Sequence, residues 1–163
     1  MNAKDVIKTN IQFSQMVMGA LLEDLSDDDL FVRTSPDANH VAHQLGHLIS
    51  AERSMIEGLC PGSCPALPEG FDKAHSKETA RSDSRDGMCT KTEYATLYQK
   101  QRDATIKALE ALPEADLDKP APESLQKICP NVGAVFALQP WHQGWHMGQV
   151  TALRRHLKKP VVF

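Results

Sequence analysis

Four stretches of this chain place apolar residues at the three- and four-residue spacing of an amphipathic helix, and no stretch alternates like a strand. The first stretch covers about the first 25 residues, and the second runs from Asn39 to Leu59. The third follows Thr90 and ends before Pro113, and the fourth covers residues 132–157. We therefore predict an all-α fold, a four-helix bundle, with residues 1–163 as a single domain.

Local signals refine the helix ends. The spacing of Thr90 and Glu93 predicts a capping box that begins the third helix, and Pro113 is expected to end it. Pro140 must lie at a break, a kink or a first turn of the fourth helix. The segment from Cys60 to Cys89 lacks periodicity, so we predict a long loop between helices two and three that is either functional or loosely ordered.

Charge and apolar content exclude several classes of protein. Eighteen Lys and Arg residues against 21 Asp and Glu residues give a net charge of −3, which argues against nucleic-acid binding. No window reaches the roughly 20 apolar residues of a membrane span, and MNAKDVIKTN lacks the apolar run of a signal peptide. We therefore expect no membrane partner and a cytoplasmic location.

The four cysteines are expected to be free thiols, because a chain of this size builds its own core without disulfides. Cys60 and Cys64 have three residues between them, whereas redox pairs and most zinc ribbons have two. A redox or zinc role for the CPGSC segment is the disfavoured alternative.

The fourth helix carries the most informative pair of residues, His142 and His146. At 100° per residue the two rings lie about 40° apart, on the same side as Leu153 and Leu157. A lone histidine on such a face is usually a hydrogen-bonded core residue, but two rings at this spacing can converge on one ion. We predict a metal site that takes a third ligand from a facing helix.

The second helix offers His40, His43 and His47 as that third ligand. Relative to Val41, His47 lies at about 240°, at the margin of the apolar stripe, and His43 at about 200° looks further outward. His40, at about 260°, is not separated from His47 by this argument, although it lies close to the helix start.

Glu52 falls within the apolar stripe of helix two, where a buried carboxylate needs a partner. It either forms an ion pair with Arg154 or Arg155, lies on an exposed edge, or orients a ligand histidine through the non-coordinating ring nitrogen. Gln149 is a second candidate for the orienting role.

Gly144, Gly148 and Ala152 form a small-residue face on helix four. This face predicts close packing within the bundle, with a dimer interface as the alternative.

With these residues in place, the chain resembles the DinB-like superfamily of bacterial metal-binding four-helix bundles. The matching segments run in order along nearly the whole chain: LGHLISAE, LPEGF, TKTEYATLYQKQRDATIKALEAL, LDKPAPES and HQGWHMGQVTALRRHLKKPVVF. The ending H-x-x-x-H-x-G-Q is the specific element. The resemblance implies that His47, His142 and His146 bind one divalent ion, and that His40, His43, His75 and His156 do not. It also implies a homodimer.

Relatives with known activity include transferases and isomerases that use low-molecular-weight thiols, and similar triads bind iron in sulfoxide synthases. We therefore expect a metal-dependent enzyme with zinc or nickel, or alternatively iron, as its ion. The ion is expected to activate a thiol or water for attack on an electrophilic small-molecule substrate. The alternative is a non-catalytic or stress-related protein in which a structural metal joins helices two and four. A haem bundle is disfavoured, because no C-x-x-C-H segment is present.

Overall fold

The structure, a computed structural model, describes all 163 residues, and it is all-helical as predicted. The helices are α1 (Ala3–Leu22), α2 (Val41–Leu59), the one-turn α3 (Phe71–Ala74), α4 (Lys91–Ala111) and α5 (Val132–His156). The long helices α1, α2, α4 and α5 form the bundle. None of them has the length and apolar character needed to cross a bilayer.

Side chains close the beginnings of the long helices. The predicted capping box is confirmed, because Glu93 N donates to Thr90 Oγ1 while Thr90 N donates to Glu93 Oε2. Helix α2 begins one residue after His40, whose Nδ1 accepts the hydrogen bond from His43 N at 3.0 Å. These caps satisfy amide groups that have no partner within the first helical turn.

In the bundle, α1 and α2 lie diagonally opposite each other, as do α4 and α5. Helix α1 packs against α5 and α4, and α2 packs against the same two helices. The main core cluster draws apolar side chains from all four helices, among them Met18, Leu45, Ile49, Tyr94, Val150 and Leu153. The arrangement brings α2 and α5 side by side, so their facing side chains share one groove.

Helix α5 is continuous through Pro140, which lies in its interior rather than at a break or in the first turn. A proline offers no N–H, so the helix lacks the hydrogen bond that residue 140 would otherwise donate to the Phe136 carbonyl. Packing of α5 against both α1 and α2 compensates for this local weakness.

Part of the connection between α2 and α4 packs against the bundle. It buries Phe71 and His75, and the Ser76 carbonyl lies 2.8 Å from His43 Nε2. Arg33 holds the end of the connection through Asp83 at 2.9 Å and the Ser82 carbonyl at 2.8 Å. Because the connection covers this side of α2, the expectation that His43 looks outward is wrong, and its side chain is buried.

The small-residue face of α5 is also placed differently from the favoured prediction. Gly144, Gly148 and Ala152 are exposed, so they do not pack within the bundle. Trp141 and Trp145 lie beside them on the same helix and are 60% and 63% exposed.

Candidate metal centre

Three histidines from two helices meet in the groove between α2 and α5. Each of His47, His142 and His146 offers one ring nitrogen, and the three nitrogens lie within 4.8 Å of one another. The His47 ring centroid lies 5.2 Å from that of His142 and 5.5 Å from that of His146. These are the three residues that the sequence and the resemblance singled out together.

The local structure explains why the rings meet. His142 and His146 are one turn apart on α5, so their rings project to the same side, with centroids 5.0 Å apart. His47 lies midway along α2, the helix that packs beside this part of α5. All three rings are half-buried, so one side of the group faces the core and the other faces solvent.

Burial keeps the three imidazoles in the form that can bind a metal. Burial, reinforced by the repulsion that positive charge on neighbouring rings would bring, lowers the pKa of His142 and of His146 to about 4. Burial also lowers the pKa of His47. Near neutral pH the rings are therefore neutral, and a neutral ring nitrogen has the lone pair that a metal ion requires.

Two amide side chains orient His146. Gln149 Oε1 lies 2.9 Å from His146 Nδ1, and Gln44 Oε1 lies 3.3 Å from the same nitrogen. An amide oxygen only accepts, so Nδ1 carries the proton and Nε2 keeps the lone pair. Gln149 was expected in this position. Gln44 was missed, although its place three residues before His47 on α2 was a usable signal.

Glu52 belongs to a different arrangement from those predicted. Its carboxylate accepts a hydrogen bond from Thr105 Oγ1 at 2.6 Å and pairs with Arg102 Nε at 3.2 Å. It makes no hydrogen bond to a triad histidine. Arg154 instead pairs with Asp24, and Arg155 is exposed, so neither is the partner of Glu52. The sequence argument found the buried carboxylate but not its partner, because nothing local marks Arg102 as buried.

The remaining buried histidines have other partners. His75 Nε2 lies 2.6 Å from the Tyr94 hydroxyl and its Nδ1 lies 2.7 Å from the Phe71 carbonyl. His40 caps α2, and His43 contacts the Ser76 carbonyl. The four cysteines are free, and none belongs to the histidine group. The triad is the one group of three or more potential ligands close enough together to hold an ion.

The donor set fits a borderline divalent ion. Imidazole nitrogen suits zinc, nickel, copper and iron, whereas magnesium and calcium prefer oxygen ligands. Three protein ligands also leave coordination positions for water or substrate, which distinguishes catalytic zinc sites from closed structural ones.

Comparison with known proteins agrees with this fold. A family model described as the DinB superfamily matches residues 10–150, a span that contains all three triad histidines. No curated protein matches the chain.

Proposed function

The chain belongs to the DinB superfamily. On this basis we propose that His47, His142 and His146 bind one divalent metal ion and that the protein is a metal-dependent enzyme. The observation that carries the proposal is the convergence of three neutral ring nitrogens within 4.8 Å. Zinc or nickel is the proposed ion, with iron as the third possibility.

Held by His47, His142 and His146, the ion would supply Lewis-acid chemistry that lowers the pKa of a bound low-molecular-weight thiol or water and so favours its use as a nucleophile toward an electrophilic small molecule. The protein's own residues prepare the site. Gln149 and Gln44 accept hydrogen bonds from His146 Nδ1–H, which leaves Nε2 free to bind the ion, and burial keeps the His142 and His146 rings neutral. The half-exposed side of the triad provides access from solvent.

Elemental analysis of purified variants tests the metal site. We expect one ion per chain in the wild-type protein and less than about a tenth of that in His142→Ala or His146→Ala. His43→Ala and His75→Ala serve as controls, because both are buried histidines outside the triad, and they should retain the ion. Full metal content in either triad variant would show that the substituted histidine is not a metal ligand.

A catalytic ion and a structural one differ in what their removal does. Helices α2 and α5 already pack through buried side chains such as Leu45, Ile49 and Val150, which favours a bundle that persists without the ion. Chelation should therefore abolish turnover of a thiol with an electrophile while circular dichroism stays helical. Loss of most helicity on chelation would instead support the non-catalytic alternative.

We also propose a homodimer formed through the exposed face of α1 and α5. Phe13 on α1 is 61% exposed, close to the values for Trp141 and Trp145, and a groove between the helices is lined by Val6, Pro140 and Met147. No Asp, Glu, Lys or Arg lies between Lys8 and Glu23 or between Lys127 and Arg154. Two copies with the same net charge could thus meet here without like-charge repulsion.

Light scattering coupled to gel filtration tests this pairing. We expect a dimer for the wild-type protein and a monomer for Trp141→Lys, because a charge in the apolar interface is left without a partner. Ile128→Lys is the matched control, since Ile128 is an apolar residue that is 69% exposed elsewhere on the surface. A wild-type monomer at micromolar concentration would contradict the pairing.

We also propose a cytoplasmic location. The free state of all four cysteines supports this proposal.

A further inference from the structure

A chain of buried polar side chains crosses the centre of the bundle and joins its four long helices. Glu52 on α2 pairs with Arg102 on α4, and Arg102 Nη2 donates to Oε1 of Gln143 on α5. Gln143 Nε2 then donates to the Ser14 carbonyl of α1 at 2.9 Å. The exposed fractions of Glu52, Arg102 and Gln143 are 3%, 1% and 0%. The metal site proposed above does not use any of these groups.

Two members of this chain, Glu52 and Gln143, lie on the helices that carry the triad. Glu52 is five residues after His47 on α2, and Gln143 directly follows His142 on α5. Arg102 therefore links the two ligand-bearing helices through the helix that packs against α2. Burial raises the pKa of Glu52, and the Arg102 charge opposes that rise, which is the electrostatic sign of their close contact.

The part of α5 that carries the ligands has little intrinsic rigidity. Pro140 removes one backbone hydrogen bond just before His142, and Gly144 and Gly148 flank His146. Each glycine has a lower helix propensity than alanine. The orientation of these turns must therefore come from tertiary contacts rather than from helix propensity.

Small rotations of α5 matter because a metal site tolerates little displacement. A side-chain nitrogen lies roughly 6 Å from the helix axis, so a rotation of about 20° moves it by about 2 Å. Ligand distances in metal sites vary by only about 0.2 Å. Gln143 is hydrogen-bonded on both sides, to α4 and to α1, and such a two-sided contact opposes rotation in either direction.

We infer that Gln143 is a positioning residue for the triad, held in place by the Arg102–Glu52 pair, and that it sets the rotation of α5 that points His142 and His146 at His47. The expected effect on metal binding rests on the proposed function. The alignment of the rings is also a property of the metal-free protein.

Cobalt binding and ring contacts in the Gln143→Leu variant test the inference. Leucine keeps the approximate volume but removes both hydrogen bonds. We expect Co²⁺ to bind at least about 10-fold more weakly, with an altered visible absorption spectrum. In metal-free protein, we expect weaker nuclear Overhauser effects between the His47 and His142 rings, whose centroids are 5.2 Å apart in the wild-type chain.

Gln139→Leu is the matched control, because Gln139 lies one turn earlier on α5 and is also buried. Its Nε2 donates to the Val135 carbonyl within the same helix at 2.8 Å and contacts Met55 Sδ of α2 at 3.6 Å, so it joins α5 neither to α4 nor to α1. This variant should keep wild-type Co²⁺ affinity, spectrum and ring contacts. An equal loss in both variants would mean that any buried polar deletion in α5 has the same effect, and the positioning role would be overturned.

Arg102→Lys decides the question if Gln143→Leu does not fold. Lysine keeps a cation beside Glu52 but lacks the planar fork that reaches two partners at once. It should reproduce the weaker Co²⁺ binding and the weaker ring contacts. Wild-type behaviour of the folded variants, or loss of helicity in both, would overturn the inference. A wild-type chain that binds none of Co²⁺, Zn²⁺, Ni²⁺ and Fe²⁺ would contradict the proposed function. The ring contacts in the metal-free protein would still test the positioning role.

Discussion

Oε1 of Gln149 lies 2.9 Å from Nδ1 of His146, so the amide oxygen accepts a hydrogen bond from Nδ1–H and Nε2 is left as the basic nitrogen. The contact ties the protonation state of one triad residue to a neighbour one turn along α5. Hydrogen bonds of this kind commonly change metal affinity by 10- to 100-fold when they are removed.

We therefore expect Gln149→Leu to weaken Zn²⁺ binding by roughly 10-fold. The loss should be larger in the Gln44→Leu, Gln149→Leu double variant, because Gln44 Oε1 also lies within 3.3 Å of Nδ1. Competition titration with a chromogenic chelator measures the affinity. Gln12→Leu, at an exposed glutamine on α1, is the control and should have no effect. Unchanged affinity in the double variant would refute the orienting role.

Acidification should destabilise the fold through His40. Burial, followed by repulsion from the Arg33 charge, lowers the pKa of His40 from 6.5 to about 4. Between pH 6.5 and pH 4 the His40 ring binds a proton in the unfolded chain but not in the folded chain. The contribution of neutral His40 to the free energy of unfolding is therefore fully present above about pH 6.5 and is lost as the pH falls toward 4. Asp83 partly offsets this effect by favouring the charged ring.

The His40→Asn variant isolates this contribution, because asparagine can still cap α2 but does not titrate. Urea unfolding at pH 7 and pH 5 should show that the wild-type free energy of unfolding falls by about 2 kcal/mol more than that of the variant. Equal losses in the two proteins would mean that His40 does not remain neutral in the folded state.

Gly46 and Gly58, both on α2, should respond oppositely to alanine. A Cβ at Gly46 would lie 1.9 Å from His75 Cδ2, whereas nothing lies within 4 Å of one at Gly58. Gly46→Ala must displace His75 and the connection that it anchors, so we expect a loss of about 1–3 kcal/mol. Gly58→Ala should gain up to about 1 kcal/mol from helix propensity. Thermal denaturation compares the two, and a neutral Gly46→Ala would show that His75 does not need its present position.

The buried Glu52–Arg102 pair predicts a non-additive double-mutant cycle. Glu52→Leu alone leaves the Arg102 charge buried without a partner, so it should lower the free energy of unfolding by about 3–5 kcal/mol. Adding Arg102→Met should recover most of this loss. Removal of the exposed Lys8–Glu110 pair should change stability by less than about 1 kcal/mol. Additive losses at Glu52 and Arg102 in urea unfolding would contradict the pairing.

The cysteines should be dispensable for metal binding. Cys64 Sγ accepts a hydrogen bond from Gln101 Nε2 at 3.3 Å, and neither Cys60 nor Cys64 belongs to the histidine group. A Cys60→Ser, Cys64→Ser double variant should retain one ion per chain by elemental analysis. Loss of the ion would reinstate the CPGSC segment as a metal ligand.

The sequence by itself determined the four long helices, the cap at Thr90 and the candidate ligand triad. These features depend on residues close together along the chain, through helical spacing and capping, and on the motif resemblance that selected His47. Spacing alone left His40 and His47 unresolved.

Only the tertiary structure decided which groups meet across the bundle. It paired Glu52 with Arg102 rather than Arg154, buried His43 under the connection, and left Gly144 and Gly148 exposed. Contacts of this kind join residues far apart in the chain, and they depend on how the helices rotate and pack against one another. Helical periodicity places a side chain on a face of its own helix, but it does not specify what covers that face.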